Sequence, residues 1–360
     1  PPPRSPVLSS LSIMDECWHS MRSSYKRITS DPQPFLKHTT TLVDDSLITV
    51  GGINHENKLV SSVHLLNVLS TNKMARNQWQ ERAVAGNGPP PLHSHAAAPD
   101  RSNLYIFGGK TETGVLNDLY TLDCGNFHWR KPRLTGSLPA ARYLHTMNTF
   151  AAMSSMSATA TFAGSNSNIV IFGGLDMDDT PLDDLNVLDI ASRTWSTKDS
   201  DDGPPPLFGH SACVVMNTKL YVFGGNSGKT LHNDLFILDL ETFNWEKAET
   251  SGALPPPQYR HTATIIGHRF MLVLGGFAEG GAPVESIHYL DTETFEWTEL
   301  PSNLAGSKAS RVCVEGVSAD NAEGLIYMVG GEDPTEHTVG VFVFEAAYAM
   351  HTLKLISKAP

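Results

Sequence analysis

Short apolar runs and polar turns alternate along this chain with a long, regular period. Six times an apolar run of strand length ends on a Gly-Gly pair: 47–50 on Gly51-Gly52, 104–107 on Gly108-Gly109, 169–172 on Gly173-Gly174, 220–223 on Gly224-Gly225, 271–274 on Gly275-Gly276 and 325–329 on Gly330-Gly331. Runs this short, bounded by glycine, predict buried β-strands rather than helices. A second apolar run ends 15 or 16 residues after each first Gly, at Asn67, Asp123, Asp189, Asp239, Asp291 and Glu345. Six residues later stand Trp129, Trp195, Trp245 and Trp297, while Trp79 is delayed by an insertion and His351 takes the last Trp position. Upstream of each pair, prolines precede a histidine: His95, His145, His210 and His261, with His38 in the same position of the first copy. Proline cannot donate to a β-ladder, so a new strand begins at each His. One unit therefore reads as four strands: His-led, into Gly-Gly, into Asp, and carrying Trp.

Together, these residues are identified as kelch repeats, in six copies from about residue 15 to 355. The resemblance implies an all-β fold, a six-bladed kelch-type β-propeller with four antiparallel strands per blade. A single such sheet cannot bury both faces, so stacking of neighbours is required. Glycine pairs give backbone with positive φ where a side chain would clash, and the Trp side chains are expected to pack blade against blade. The predicted layout is a flexible tail at 1–14, a single propeller at 15–355 and a second tail at 356–360. Trp18 precedes any complete unit, so the segment 17–20 reads as a fourth strand that closes the ring; the segment beginning at His351 competes for that position.

Composition narrows the function. The 29 Gly and 23 Pro fit a turn-rich protein, and a net charge of −12 argues against tracking nucleic-acid phosphates. No apolar stretch approaches the ~20 residues of a spanning helix. Cys17, Cys124, Cys213 and Cys313 form no C-x-x-C pair, so neither zinc binding nor a disulfide framework is indicated. The chain is expected to be a monomer in the cytoplasm or nucleus, without cofactor or bound metal.

Each chemical motif has a structural counterpart. The repeat histidines are expected to fix the turn into the inner strand and to be spread around the ring. Residues 224–230 mimic a phosphate loop, but the first Gly of that motif would fall at Phe223 and a strand follows instead of a helix. The resemblance brings two enzymatic relatives into view, iron-dependent specifier proteins and copper radical oxidases, and a metal-dependent kelch-propeller enzyme of either kind is the alternative reading. Glu332 and Glu336 lack a third ligand at the next four-residue offset.

The principal reading is a non-catalytic interaction scaffold binding a peptide or loop of a partner protein on one rim. Strand direction alternates within a blade, so the loop between second and third strands and the link between blades emerge on that rim. Its partner-binding residues are expected to be Arg142, Tyr143, Phe208, Tyr259, Arg260, Lys110, Asn226 and Lys229. Asp176, Asp178, Asp179, Asp183 and Asp184, with Asp199, Asp201 and Asp202, form an expected acidic patch for a basic partner segment.

Overall fold

The computed structural model describes residues 26–29, 36–54, 56–68, 79–151, 167–199, 202–300, 316–320, 325–329 and 341–345. They form an all-β propeller, in which a single short 3-10 turn, Glu279–Gly281, is the helical element among the described residues. Five blades use consecutive strands. Blade 1 comprises Thr39–Val43, Ser46–Val50, Val63–Asn67 and Trp79–Arg82. Blade 2 follows with Ala96–Asp100, Asn103–Phe107, Leu119–Asp123 and His128–Arg130. Blade 3 comprises Thr146–Ala151, Ser167–Phe172, Leu185–Asp189 and Thr194–Lys198. Ser211–Val215, Lys219–Asn226, Leu231–Asp239 and Trp245–Lys247 make blade 4. Blade 5 ends the series with Thr262–Ile266, Phe270–Leu274, Ile287–Asp291 and Glu296–Leu300.

The sixth sheet is composite. Gly316–Asp320, Leu325–Val329 and Val341–Glu345 pair in order, and Lys26–Thr29 adds antiparallel to Val341–Glu345 as the outer strand. Its first strand touches Thr262–Ile266 on one side and Thr39–Val43 on the other, which closes the ring. The closing strand is thus N-terminal, but the residues that pair lie downstream of Trp18. Trp18, the His351 segment, Gly330-Gly331 and the expected boundaries of the propeller lie outside the described residues. Among the described residues, no helix is long and apolar enough to cross a membrane.

Three sheets exceed the four expected strands. Ala85–Gly86, Thr135–Gly136 and Ser251–Gly252 run parallel to the Trp-bearing strands of blades 2, 3 and 5. Each link therefore covers part of the next blade's outer edge, where unpaired backbone would invite another strand. Glycine is required there: at Gly86, φ is +86° and a Cβ would strike the Trp129 carbonyl.

The core is divided into wedges between adjacent blades. One wedge joins Phe172, Val170 and Leu185 of blade 3 to Leu220, Phe236 and Trp245 of blade 4; the next joins Tyr221 and Phe223 to Met271, Leu290 and Trp297 of blade 5. In blades 2, 3 and 4 the Phe before Gly-Gly meets the following blade's Trp: Phe107 and Trp195 centroids lie 5.6 Å apart, Phe172 and Trp245 5.1 Å, Phe223 and Trp297 4.9 Å. In blades 2 to 5 the Asp ending the third strand fixes the turn that follows. Asp239 Oδ1 accepts from the amides of Glu241 (3.0 Å) and Thr242 (2.9 Å), and Asp123, Asp189 and Asp291 each accept one amide likewise.

Trp297 is 1% exposed at a blade junction. Trp297→Ala should cost about 3–5 kcal/mol in urea unfolding; a loss below ~1 kcal/mol would mean that this wedge does not hold blades 4 and 5 together.

Candidate binding face at the channel mouth

Each of the five consecutive blades enters its first strand by the same backbone path. An antiparallel bridge pairs the residue two before the His with the residue after Gly-Gly: Leu36 with Ile53, His93 with Lys110, Tyr143 with Leu175, Phe208 with Asn226 and Tyr259 with Phe277. The next residue is left-handed in all five copies: Lys37, Ser94, Leu144, Gly209 and Arg260, with φ from 53° to 61°. Their backbones are joined in series. Ser94 N donates to Lys37 O (2.9 Å), Leu144 N to Ser94 O (3.0 Å), Gly209 N to Leu144 O (2.9 Å) and Arg260 N to Gly209 O (2.6 Å).

The histidines then insert between Gly-Gly pairs. A Cβ on Gly224 would sit 2.8 Å from His261 Cε1 of the next blade, and one on Gly225 2.8 Å from His210 Cβ of its own. Phenylalanine edges complete the slot, as where Phe223 meets His261 at 5.5 Å. Nε2 of three of the rings reaches a hydroxyl on the preceding blade: His95 to Thr39 (2.8 Å), His210 to Thr146 (2.9 Å) and His261 to Ser211 (2.8 Å). Burial lowers the His95 and His210 pKa values to about 3 and that of His261 to about 4. These three rings are therefore neutral at pH 7.

These five histidines, one from each of blades 1 to 5, are spread around one cavity of about 170 Å³ on the propeller axis. Below it, first-strand residues such as Thr40, Asn148, Thr149, Cys213 and Thr264 line about 350 Å³ of channel. Among the described residues, no three His, Cys, Asp or Glu side chains are grouped to hold a metal.

Arg142 requires correction. It is 0% exposed, and its guanidinium forks onto Asp184 at 2.7 and 2.6 Å while donating to Gly173 O (3.0 Å) and Ala140 O (3.1 Å). It braces the rim from beneath and offers no surface to a partner. Burial would raise the Asp184 pKa, but the Arg142 fork outweighs it and the net shift is downward. Tyr143 is 8% exposed, and its hydroxyl donates to Asp179 at 2.6 Å. Lys110 Nζ lies 3.3 Å from the same carboxylate and 4.7 Å from the Tyr143 ring centroid. Two residues of the expected partner face are thereby tied to one of the acidic patch.

Asp176 is likewise engaged, accepting from the amides of Asp178 and Thr180 at 2.9 Å each. Asp178, Asp183, Asp199 and Asp202 are exposed, whereas Asp201 lies outside the described residues. Asn226 Oδ1 accepts from Gly228 N at 2.7 Å, within a hairpin where the phosphate-loop mimic would lie; Lys229 is exposed at its tip.

Phe208, Tyr259 and Arg260 do converge, around Phe277. Phe208 and Tyr259 meet edge-on at 6.2 Å, Tyr259 and Phe277 at 5.9 Å, and the Arg260 guanidinium lies 5.7 Å from the Phe277 centroid. Phe277 and Lys37 were not singled out by the sequence reading. Alignment on the histidines places Lys37 at the same repeat position as Arg260. His93 marks the resulting field: burial first, then Lys37, Lys110 and Arg260, lower its pKa to about 4.

A model of the KLHDC2/KLHL20/DRC7 Kelch-repeats domain matches residues 37–156 and 150–331. The chain belongs to the kelch-repeat family. This kelch chain is similar to host cell factor 2 of Homo sapiens, 28% identical over 79% of the chain and 38% of that protein. Host cell factor 1 of Rattus norvegicus is 30% identical over 68% of the chain and 12% of its own length. Acyl-CoA-binding domain-containing protein 4 of Arabidopsis thaliana is 28% identical over 71% of the chain and 37% of its own length. The kelch chain spans less than half the length of these curated relatives.

Arg142→Ala should cost about 2–4 kcal/mol, because Asp184 and two carbonyls lose their donor; unchanged stability in urea would refute a bracing role. The ring histidines also set a pH dependence. The unfolded chain takes up protons near the ordinary pKa of 6.5, the folded one only near 3–4. Stability should therefore fall as pH drops from about 7 to about 5, with a slope approaching one proton for each of His95, His210 and His261. A flat unfolding free energy across that interval would show that the rings are already charged when folded.

Proposed function

We propose that this kelch propeller is a non-catalytic protein-interaction module, receiving a peptide or loop of a partner on the rim around the channel mouth. One observation carries the reading: Phe208, Tyr259, Phe277 and Arg260 interlock beside an axial cavity. Aromatic and arginine side chains dominate interface hot spots, and these are preorganised by backbone bridges and ring contacts, which lowers the ordering cost of binding.

Lys110, Asn226 and Lys229 extend this face outward. Arg142 supports it from below, and Tyr143 links it to Asp179. The exposed Asp178, Asp183, Asp199 and Asp202, with Asp201 in the same link, form the acidic sector that steers a basic segment of the partner. Cys124 and Cys213 are free thiols whose pKa values burial pushes up to about 12, which fits a reducing cytoplasm or nucleus and leaves neither poised as a nucleophile. The working unit is a monomer that uses no cofactor.

Quantitative affinity capture from native lysate tests the face. Partners held by the wild type should be retained ~10-fold less by Tyr259→Ala/Arg260→Ala, and fully by Met216→Ala, which alters an exposed turn on the other rim. Asp178→Asn/Asp183→Asn should slow association at low salt and flatten its salt dependence. Equal retention by the Tyr259 and Arg260 double variant would remove the proposed docking face.

A further inference from the structure

Among the four rings that follow blades 1 to 4, the histidine–hydroxyl series breaks once, at His145. Thr39, Thr146 and Ser211 start their first strands opposite Val50, Phe172 and Phe223, the residues immediately before Gly-Gly; Ala96 starts its strand in the same register, opposite Phe107. Alanine has no hydroxyl to offer the next blade's histidine, His145. That ring is 6% exposed, lies edge-on to Phe107 at 5.6 Å, and neither of its nitrogens has a partner among the described residues. Buried imidazoles are normally hydrogen-bonded, so this one calls for a partner from outside the fold. It lines the mouth cavity.

The remaining wall fixes the partner's charge. Lys37 and Arg260 stand on the cavity, Leu144 and Gly209 complete its rim without charge, and no acidic residue is among the described lining. At about 170 Å³ the space is smaller than the ~300–1,000 Å³ of pockets for drug-sized molecules. It suits the end of one side chain or a small ion. Burial, with Arg142 adding to it, keeps His145 neutral, which leaves its ring one N–H to donate.

We propose that the channel mouth is a seat for one carboxylate or small oxyanion, with His145 donating the hydrogen bond and Lys37 and Arg260 supplying the charge. The inference rests on the mouth rim being the docking face and names the chemistry at its centre: an Asp or Glu side chain of the partner, or free phosphate.

The test follows the His145 imidazole nitrogens by NMR while acetate, and separately inorganic phosphate, is titrated at constant ionic strength. A saturable His145 shift is expected. Ala96→Thr restores the hydroxyl found in the neighbouring blades and should weaken binding ~10-fold while raising thermal stability. Ala96→Val, of similar shape but without the hydroxyl, should keep more of the binding than Thr does; Lys37→Met should weaken it in the Ala96 background. Response to acetate points to a protein carboxylate, response to phosphate alone to a free oxyanion, and either supports the seat. No saturable shift with either, or binding unaltered in Ala96→Thr and Lys37→Met, overturns it. Anion binding with full partner capture by Tyr259→Ala/Arg260→Ala would sink only the docking face, and lost capture without anion binding only the seat.

Discussion

The propeller depends on a steric constraint: a buried imidazole must pass between two backbones that carry no side chains. The first Gly of one blade faces the histidine of the next, the second Gly faces the Cβ of its own histidine, and both glycines are left-handed. A Cβ at either place would displace the ring and, with it, the entry into the first strand. That entry sets the left-handed residue, the bridge to the loop after Gly-Gly, and the series of backbone hydrogen bonds running from blade to blade. The channel mouth is the surface trace of this packing, so fold and candidate site share one cause. Burial also makes the rings neutral, and the scaffold's stability is consequently linked to pH through the residues that line its opening.

On this scaffold, function is carried by departures from symmetry. The left-handed residue can be Lys37, Ser94, Leu144, Gly209 or Arg260 without altering the backbone path. The same position is therefore cationic on one side of the mouth and uncharged on the other. Ala96 is a second departure, harmless to strand pairing but decisive for the histidine beside it. A propeller tolerates such changes because inter-blade wedges, rather than the mouth, supply most of the apolar burial.

The sequence was most readable where a feature repeats. The strands into Gly-Gly, the buried Trp at blade junctions and the His-led entries follow from period and residue type alone. The role of the Asp ending each third strand did not, because a turn cap depends on amides two or three residues downstream adopting a particular path. Arg142 illustrates a harder limit. In sequence it resembles Arg260, a basic residue beside an aromatic one in a proline-led link, yet Asp184 in another loop of the fold draws it completely out of solvent. Burial is a tertiary property that neighbours in sequence do not encode. Lys37 escaped notice for the opposite reason: nothing local distinguishes it, and its significance lies in facing the same axis as Arg260. The fifth edge strands were equally hidden, since two residues give no periodicity.

The composite sheet has a consequence for how the molecule comes into being. Lys26–Thr29 is synthesised ahead of every blade, whereas its partner Val341–Glu345 follows all five consecutive ones. Chains emerge from the ribosome N-terminus first, so the earliest of these strands waits longest for its place. Until then the flank of blade 1 formed by Leu47 and Leu66 lacks Tyr327 and Val329, the residues that bury it. The ring behaves as a bracelet whose clasp is forged first and fastened last, and a nascent chain must keep that open flank from finding some other strand in the meantime.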